Sequence, residues 1–377
     1  MNSLLTEDNL INLLKNKILL KNNKITFPLI QNIEGDKKNV FITFVYIGDK
    51  STRNVLVISP LGNDIINENK MINIKNTNIW YKTYYVRNDI KFRYYFSVND
   101  PLTNIYNMRL KNSCNDKLNN LNLSFDDGYT MSYFVMPNYK KYSYEKTPVI
   151  TKGNLIKYNI FSKFLNETIN ISIYTPYNFN YTDHKYGIIL FTDGKEHIDL
   201  LSANTILDNL IYNKKIDPIL GIFIESNINR SKYLKCNNNF EKFIIHEIIP
   251  FLKTKFNISE NPHKNVIAGF SLGGLMSTYI GLRNSEIFHN ILSQSCSYFY
   301  NFNYIKKEIR KCNKKLNIYI DVGILENKKI MINPNKKLYS ILRKQRFTVK
   351  YEEFKSGHDY LSWGEFLAKG LIYLLGI

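Results

Sequence analysis

The chain has 377 residues, 44% of them apolar and 22% charged, which sets aside a disordered or fibrous protein and allows one large or two ordinary domains. Lys and Arg outnumber Asp and Glu by 51 to 32, a net charge of +19 that favours an anionic partner. The Lys residues are scattered singly and no nucleic-acid module signature is present, so nucleic acid is set aside and an acidic small molecule is retained.

The start, Met1-Asn2-Ser3-Leu4-Leu5, lacks the basic and apolar regions of a secretory signal. Leu4, Leu5, Leu10, Ile11, Leu13 and Leu14 predict a short amphipathic helix packed on the body. The first domain, 1–150, is predicted to be all-β. Alternating runs cover Asn39 to Ile47, Asn54 to Ser59, Asn78 to Arg87, Ile90 to Val98 and Thr130 to Pro137. Turn signals separate them, among them Gly62-Asn63 and Asp126-Asp127-Gly128, and a β-sandwich is the expected architecture. This domain carries no nucleophile–base constellation. Its aromatics and nearby cations (Trp80, Tyr94, Arg93 among them) are expected to shape a substrate site, so that a chain starting near Gly153 should keep hydrolysis of small esters. The segment from Asn138 to Thr147 is predicted to be a linker.

The second domain, 151–377, opens with a predicted hairpin, Leu155 to Phe161 and Thr168 to Tyr174. Apolar strands then alternate with helices. Strands are expected over Tyr186 to Thr192, Ile219 to Ile224, Asn265 to Ala268, Leu316 to Val322 and Thr348 to Phe354. Helices are expected over Leu200 to Tyr212, Phe240 to Phe256 (despite Pro250), Leu272 to Leu282, Lys336 to Arg346 and Leu361 to Leu375. This pattern implies a mostly parallel sheet covered on both faces, the α/β-hydrolase arrangement, with functional residues at the carboxyl ends of the strands. No apolar run approaches the roughly 20 residues needed to cross a bilayer. The four cysteines (Cys114, Cys236, Cys296, Cys312) are widely spaced, which argues against a zinc site or a disulfide scaffold and fits a cytoplasmic setting.

The sharpest motif is Gly269-Phe270-Ser271-Leu272-Gly273, preceded by an apolar strand and followed by a helix. That is the nucleophile elbow, in which the turn is too tight for side chains at the flanking glycines. Ser271 is the candidate nucleophile, and the Leu272 amide at the helix start is a candidate oxyanion donor. The order nucleophile, acid, histidine places the base after the last strand, where His358 stands in Phe354-Lys355-Ser356-Gly357-His358-Asp359. For the acid, the segment from Ile318 to Glu326 offers Asp321 within a strand and Glu326 on the loop beyond it; loop placement favours Glu326 and leaves Asp321 as the alternative. The Gly194 amide in Asp193-Gly194 is the candidate second oxyanion donor.

At these residues the chain resembles the enterochelin (enterobactin) esterase family, cytoplasmic enzymes that open the lactone backbone of catecholate siderophores. The resemblance covers nearly the whole chain. It rests on Asp193-Gly194, on Asn229-Arg230-Ser231 with Leu234-Lys235-Cys236-Asn237, on the Ser271 elbow, on Ser297-Tyr298 and on Gly357-His358-Asp359 with Trp363. It implies an immunoglobulin-like N-terminal sandwich and catalysis by Ser271 and His358. It also implies a substrate site that includes Arg230, Trp363 and Asp193, with Arg230 facing an anionic ferric catecholate. No protein-bound cofactor or metal is expected, since iron arrives with the substrate. Two departures stand out: Tyr233 replaces an acidic residue, and His197 stands where an aromatic is usual. A feruloyl or acetyl esterase of carbohydrate and a non-catalytic siderophore-binding protein are the alternatives.

Overall fold

The computed structural model describes all residues except 1–4, 20–24, 63–64, 104–105, 125–129, 142–150, 181–184 and 227. Leu4, the Asp126-Asp127-Gly128 turn and most of the expected linker therefore lie outside the described residues. The chain divides into two compact units: Met1–Lys141 with Lys355–Asp359, and Tyr142–Phe354 with Tyr360–Ile377. The boundary expected at 150 is placed at 141, and a five-residue loop near the C-terminus is grouped with the first unit.

In the first unit a helix spans Glu7–Leu19 and buries Leu10 and Leu14 against Phe27, Val45 and Ile74. The strands are β1 (Leu29–Ile33), β2 (Asp36–Ile47), β3 (Val55–Ile58), β4 (Ile72–Asn73) and β5 (Ile79–Arg87). They continue with β6 (Lys91–Val98), β7 (Ser113–Cys114), β8 (Asn122–Ser124) and β9 (Thr130–Val135). One antiparallel sheet has the order β1-β2-β5-β4. Another has the order β3-β6-β9-β8, with β7 also paired to β6. Aromatic side chains of β2 and β6 meet between them: Phe44 packs edge-on to Tyr94 at 4.8 Å, and Tyr46 to Phe96 at 5.4 Å.

The second unit holds β10 (Asn154–Ser162), β11 (Glu167–Thr175), β12 (Gly187–Phe191), β13 (Ile219–Ile224), β14 (Val266–Phe270), β15 (Asn290–Gln294), β16 (Asn317–Gly323) and β17 (Thr348–Phe354). They form one sheet in the order β10-β11-β13-β12-β14-β15-β16-β17. The β10–β11 hairpin and the β11–β13 pair are antiparallel, and the rest are parallel. Strand alternation divides the core in two. Ile188 and Leu190 enter one cluster with the helix Leu272–Arg283, while Ile189 and Phe191 enter the other with Leu207 and Leu371. This is an α/β-hydrolase-like arrangement.

The structure adds elements not expected from sequence: β1, β4, β7 and β8 in the first unit, and β15 with helices at Gly194–Asp199, Arg230–Tyr233 and Phe302–Lys311 in the second. It also modifies the expected helix through Pro250. Asn238–Phe243 is α-helical, Ile244–Ile248 is a π turn, and Ile249–Lys255 returns to α. The Ile249 amide reaches back to the Ile244 carbonyl, and this wider turn immediately before Pro250 accommodates a residue that has no N–H to donate. The same device recurs at Lys328–Ile332, two residues before Pro334.

Candidate active site

Ser271 sits between β14 and the helix Leu272–Arg283 with φ 55° and ψ −120°, a conformation that a non-glycine residue holds at a cost of about 1–3 kcal/mol. Its neighbours enforce it. A Cβ on Gly269 would lie 2.5 Å from the Gly273 backbone, and one on Gly273 would lie 2.5 Å from Asp193 Oδ2. The Ser271 N–H donates to the Gln294 carbonyl at 2.9 Å, and its carbonyl accepts from Ser297 N at 3.1 Å. Its hydroxyl lies 3.2 Å from Ser297 Oγ. The following helix begins at Leu272, so its first amides have no intrahelical acceptor.

Gly194 starts the helix Gly194–Asp199. A Cβ there would lie 2.3 Å from the Phe223 carbonyl carbon, so only glycine permits this approach to β13. The preceding Asp193, expected as a substrate contact, is fully buried. Its Oδ1 accepts from Ser226 Oγ at 2.8 Å and Arg230 Nε at 2.7 Å, and its Oδ2 from Arg230 Nη2 at 2.8 Å. Arg230 is accordingly no lone surface cation but one arm of a bidentate pair. Its side chain stays 29% exposed, with the guanidinium 5.9 Å from the ring centroid of Phe270. Arg230→Ala is expected to lower stability by about 3 kcal/mol, read as a fall of several degrees in Tm, because it strands a buried carboxylate. An unchanged Tm would show that Asp193 finds another partner.

His197 explains its own departure from the family pattern. It is fully buried between the rings of Phe191 and Phe270, at 4.7 and 4.9 Å. Nδ1 meets the Asp193 carbonyl at 2.6 Å, so Nδ1 carries the proton. Burial pulls its pKa down to about 4, so at neutral pH it packs as an uncharged aromatic ring. Tyr233, the other departure, is buried and stacks on Phe240 at 5.5 Å.

Glu326 lies beyond β16, as its loop position implied. Its Oε1 accepts from Ser295 Oγ at 2.5 Å and Gly323 N at 2.7 Å. Trp363 donates from Nε1 to the same Ser295 hydroxyl at 2.9 Å and stacks on Phe270 at 4.4 Å. Trp363, expected in substrate binding, is buried at 3% exposure. Beyond the family resemblance of Leu292-Ser293-Gln294-Ser295, the sequence assigns Ser295 and Gln294 no role and predicts no strand there, since only Ile291 and Leu292 in β15 are apolar. Ser295 adopts φ 42° and links Glu326 to Trp363.

Asp321, the alternative acid, is fully buried within β16 and accepts from Gln294 Nε2 at 3.0 Å. Burial pushes its carboxyl well above the ordinary range, and the nearby Glu326 and Glu352 charges add to the rise. The folded protein therefore keeps a proton that the unfolded chain releases. The stability this contributes is full below the unfolded pKa of about 3.9 and declines as pH rises toward the folded value. Asp321→Asn removes that titration, so its Tm relative to the parent is expected to improve as pH rises above about 4. A relative Tm that worsens over that range would mean the folded protein carries Asp321 ionised.

His358 lies in the loop Lys355–Asp359, between β17 and the helix Tyr360–Leu375, and this loop is part of the first unit. Its backbone carbonyl accepts from Arg93 Nη2 at 3.1 Å, while Ser356 Oγ donates to both Asp359 carboxylate oxygens at 3.0 and 3.2 Å. Among the described residues no cluster of three or more His, Cys, Asp or Glu side chains is placed to hold a metal, and no helix is long and apolar enough to cross a membrane.

A mostly parallel sheet with a strained serine between strand and helix is the α/β-hydrolase-like fold. Residues 162–374 match the family described as "Putative esterase", and the chain belongs to that family. It is similar to the iron(III) enterobactin esterase of Escherichia coli K12, at 26% identity over 224 residues. That alignment covers 56% of this chain, and the chain spans about half (55%) of the relative's length. A 24% identity over 243 residues links it to an endo-1,4-beta-xylanase/feruloyl esterase of Xylanibacter ruminicola, covering 60% of this chain and 32% of that protein. Among solved structures it resembles the enterobactin esterase FES of Shigella flexneri, with a TM-score of 0.76 and 22% identity over 92% of this chain and 95% of the other. The family resemblance read from the motifs is borne out.

Proposed function

We propose that this protein is a serine esterase that opens the trilactone ester bonds of a catecholate siderophore such as enterobactin, in its ferric or iron-free form, and so aids iron release in the cytoplasm. The Ser271 elbow carries the esterase reading. The relative named iron(III) enterobactin esterase supports the substrate class, together with a fold likeness that extends over 92% of the chain and so includes the first unit. Ser271 Oγ attacks the lactone carbonyl while His358 takes its proton. The amides of Leu272 and Gly194 stabilise the oxyanion. Collapse of the tetrahedral intermediate expels the serine alcohol of the ring, which receives the proton from His358. Water then enters, again deprotonated by His358, and frees the acid and Ser271. Glu326 orients His358, Asp193 fixes Arg230, and Arg230 presents a charged fork to the anionic substrate. Iron enters as cargo of the substrate, and the protein contributes no cofactor. The two sheets of the first unit are read as an immunoglobulin-like sandwich.

The Xylanibacter relative favours one second reading, a feruloyl-type esterase. Incubation with ferric and iron-free trilactone catecholates, with methyl ferulate alongside, followed by mass spectrometry, tests the choice. The expected result is linear products carrying one added water per ester opened. Methyl ferulate turnover with intact trilactone would establish the second reading instead.

A further inference from the structure

We propose that the first unit anchors the loop bearing His358 and that Arg93 is a positioning residue for this histidine. The inference rests on the reading of His358 as the base.

The loop Lys355–Asp359 has no helix or strand hydrogen bonding of its own, yet a general base must hold its place to a fraction of an ångström. Its bonds show where that rigidity comes from. The Lys91 N–H donates to the Lys355 carbonyl at 3.0 Å, and Arg93 Nη2 donates to the His358 carbonyl at 3.1 Å. Both donors belong to β6, which is bonded to β9 over Lys91 to Tyr94 and to β3 over Tyr95 to Val98. Gly357 fits closely against Pro60, since a Cβ there would lie 3.2 Å from the proline Cγ. Lys355 Nζ also pairs with Asp89 Oδ2, in the turn that precedes β6.

The bond to His358 comes from a charged fork and fixes the backbone of the base itself. Losing it removes the anchor bonded to the base's own backbone, and displacement of about 1 Å costs roughly 100-fold in rate. The anchors also bear on the expectation that a chain starting near Gly153 keeps small-ester hydrolysis: such a chain retains His358 but lacks β6 and Pro60.

The test uses full-length protein and the neutral ester p-nitrophenyl acetate, so it stands whether or not a siderophore is the substrate. Arg93→Ala is expected to lower kcat about 30-fold with KM within about twofold. Arg93→Lys, which keeps a charged donor, should recover most of that loss, and millimolar guanidinium should partly restore the alanine variant. Labelling of Ser271 by a fluorophosphonate should slow in parallel, because it draws on the same base. A folded Arg93→Ala protein with kcat and labelling rate within twofold of the parent would overturn the proposal, even if its Tm fell. Should the alanine variant not fold, the lysine and Arg93→Gln variants decide: equal kcat in parent, Lys and Gln proteins overturns the anchor, and the order Arg, Lys, Gln supports it. A Ser271→Ala protein fully active on the same ester would instead remove the underlying esterase mechanism.

Discussion

Ser271→Ala is expected to lower kcat on any ester substrate by at least about 10⁴-fold, and the Ser271→Ala/His358→Ala pair by little more. Nucleophile and base act on one proton, so each is nearly useless without the other, and the residual rate belongs to binding and the oxyanion amides. The fold offers an internal control. Alanine keeps the Cβ of residue 271, so the strained backbone at φ 55° and the contacts of Gly269 and Gly273 are retained. Tm should therefore move by no more than about 2 °C while activity collapses. Steady-state kinetics beside a thermal melt reads both quantities. Multiplicative losses in the double variant would separate the two residues mechanistically, and near-normal turnover without the serine would end its assignment as nucleophile.

Glu326→Gln carries the next largest effect, a fall in kcat of about 10³-fold with KM changed by less than a few fold. Glu326 stands on the loop beyond β16, and its Oε1 is held by the Ser295 hydroxyl and the Gly323 amide. Ser295 is in turn held by the Trp363 indole, so three segments of the second unit converge on one carboxylate. Gln keeps the shape and removes the charge that stabilises an imidazolium, so stability should change little. Asp321 offers a contrast, because burial drives it toward its neutral form, in which it lacks the charge the role demands. A large kcat loss in Asp321→Asn with Glu326→Gln near normal would reverse the assignment. Neither variant losing activity would leave Ser271 and His358 working as a dyad.

Most secondary structure was legible because its signals are local. The runs Ile219 to Ile224 and Thr348 to Phe354 match β13 and β17 residue for residue, since apolar or alternating strands bounded by turns need no distant partner to be recognised. β15 escaped because its ends, Asn290 and Gln294, are polar; both are buried, with Asn290 Nδ2 donating to the His263 carbonyl and Gln294 Nε2 to Asp321, a circumstance no window of sequence reports. With β15 went Ser295, the residue that ties Glu326 to Trp363.

By itself the sequence determined the elbow, because two glycines around a serine between an apolar strand and a helix meet a steric requirement within five residues. It also placed His358 after the last strand, because chain order in this sheet follows from right-handed crossovers. Only the tertiary structure decided which charges are available. Asp193 and Arg230 are 37 residues apart and each looked free to meet a substrate, until folding closed them into a bidentate pair. Asp321 and Glu326 are five residues apart, and burial inside β16 drives Asp321 toward its neutral form. Arg93 and His358 are 265 residues apart, and nothing in either segment names the other. Local sterics can be read along a chain, whereas desolvation and ion pairing depend on what the completed fold brings within about 3 Å.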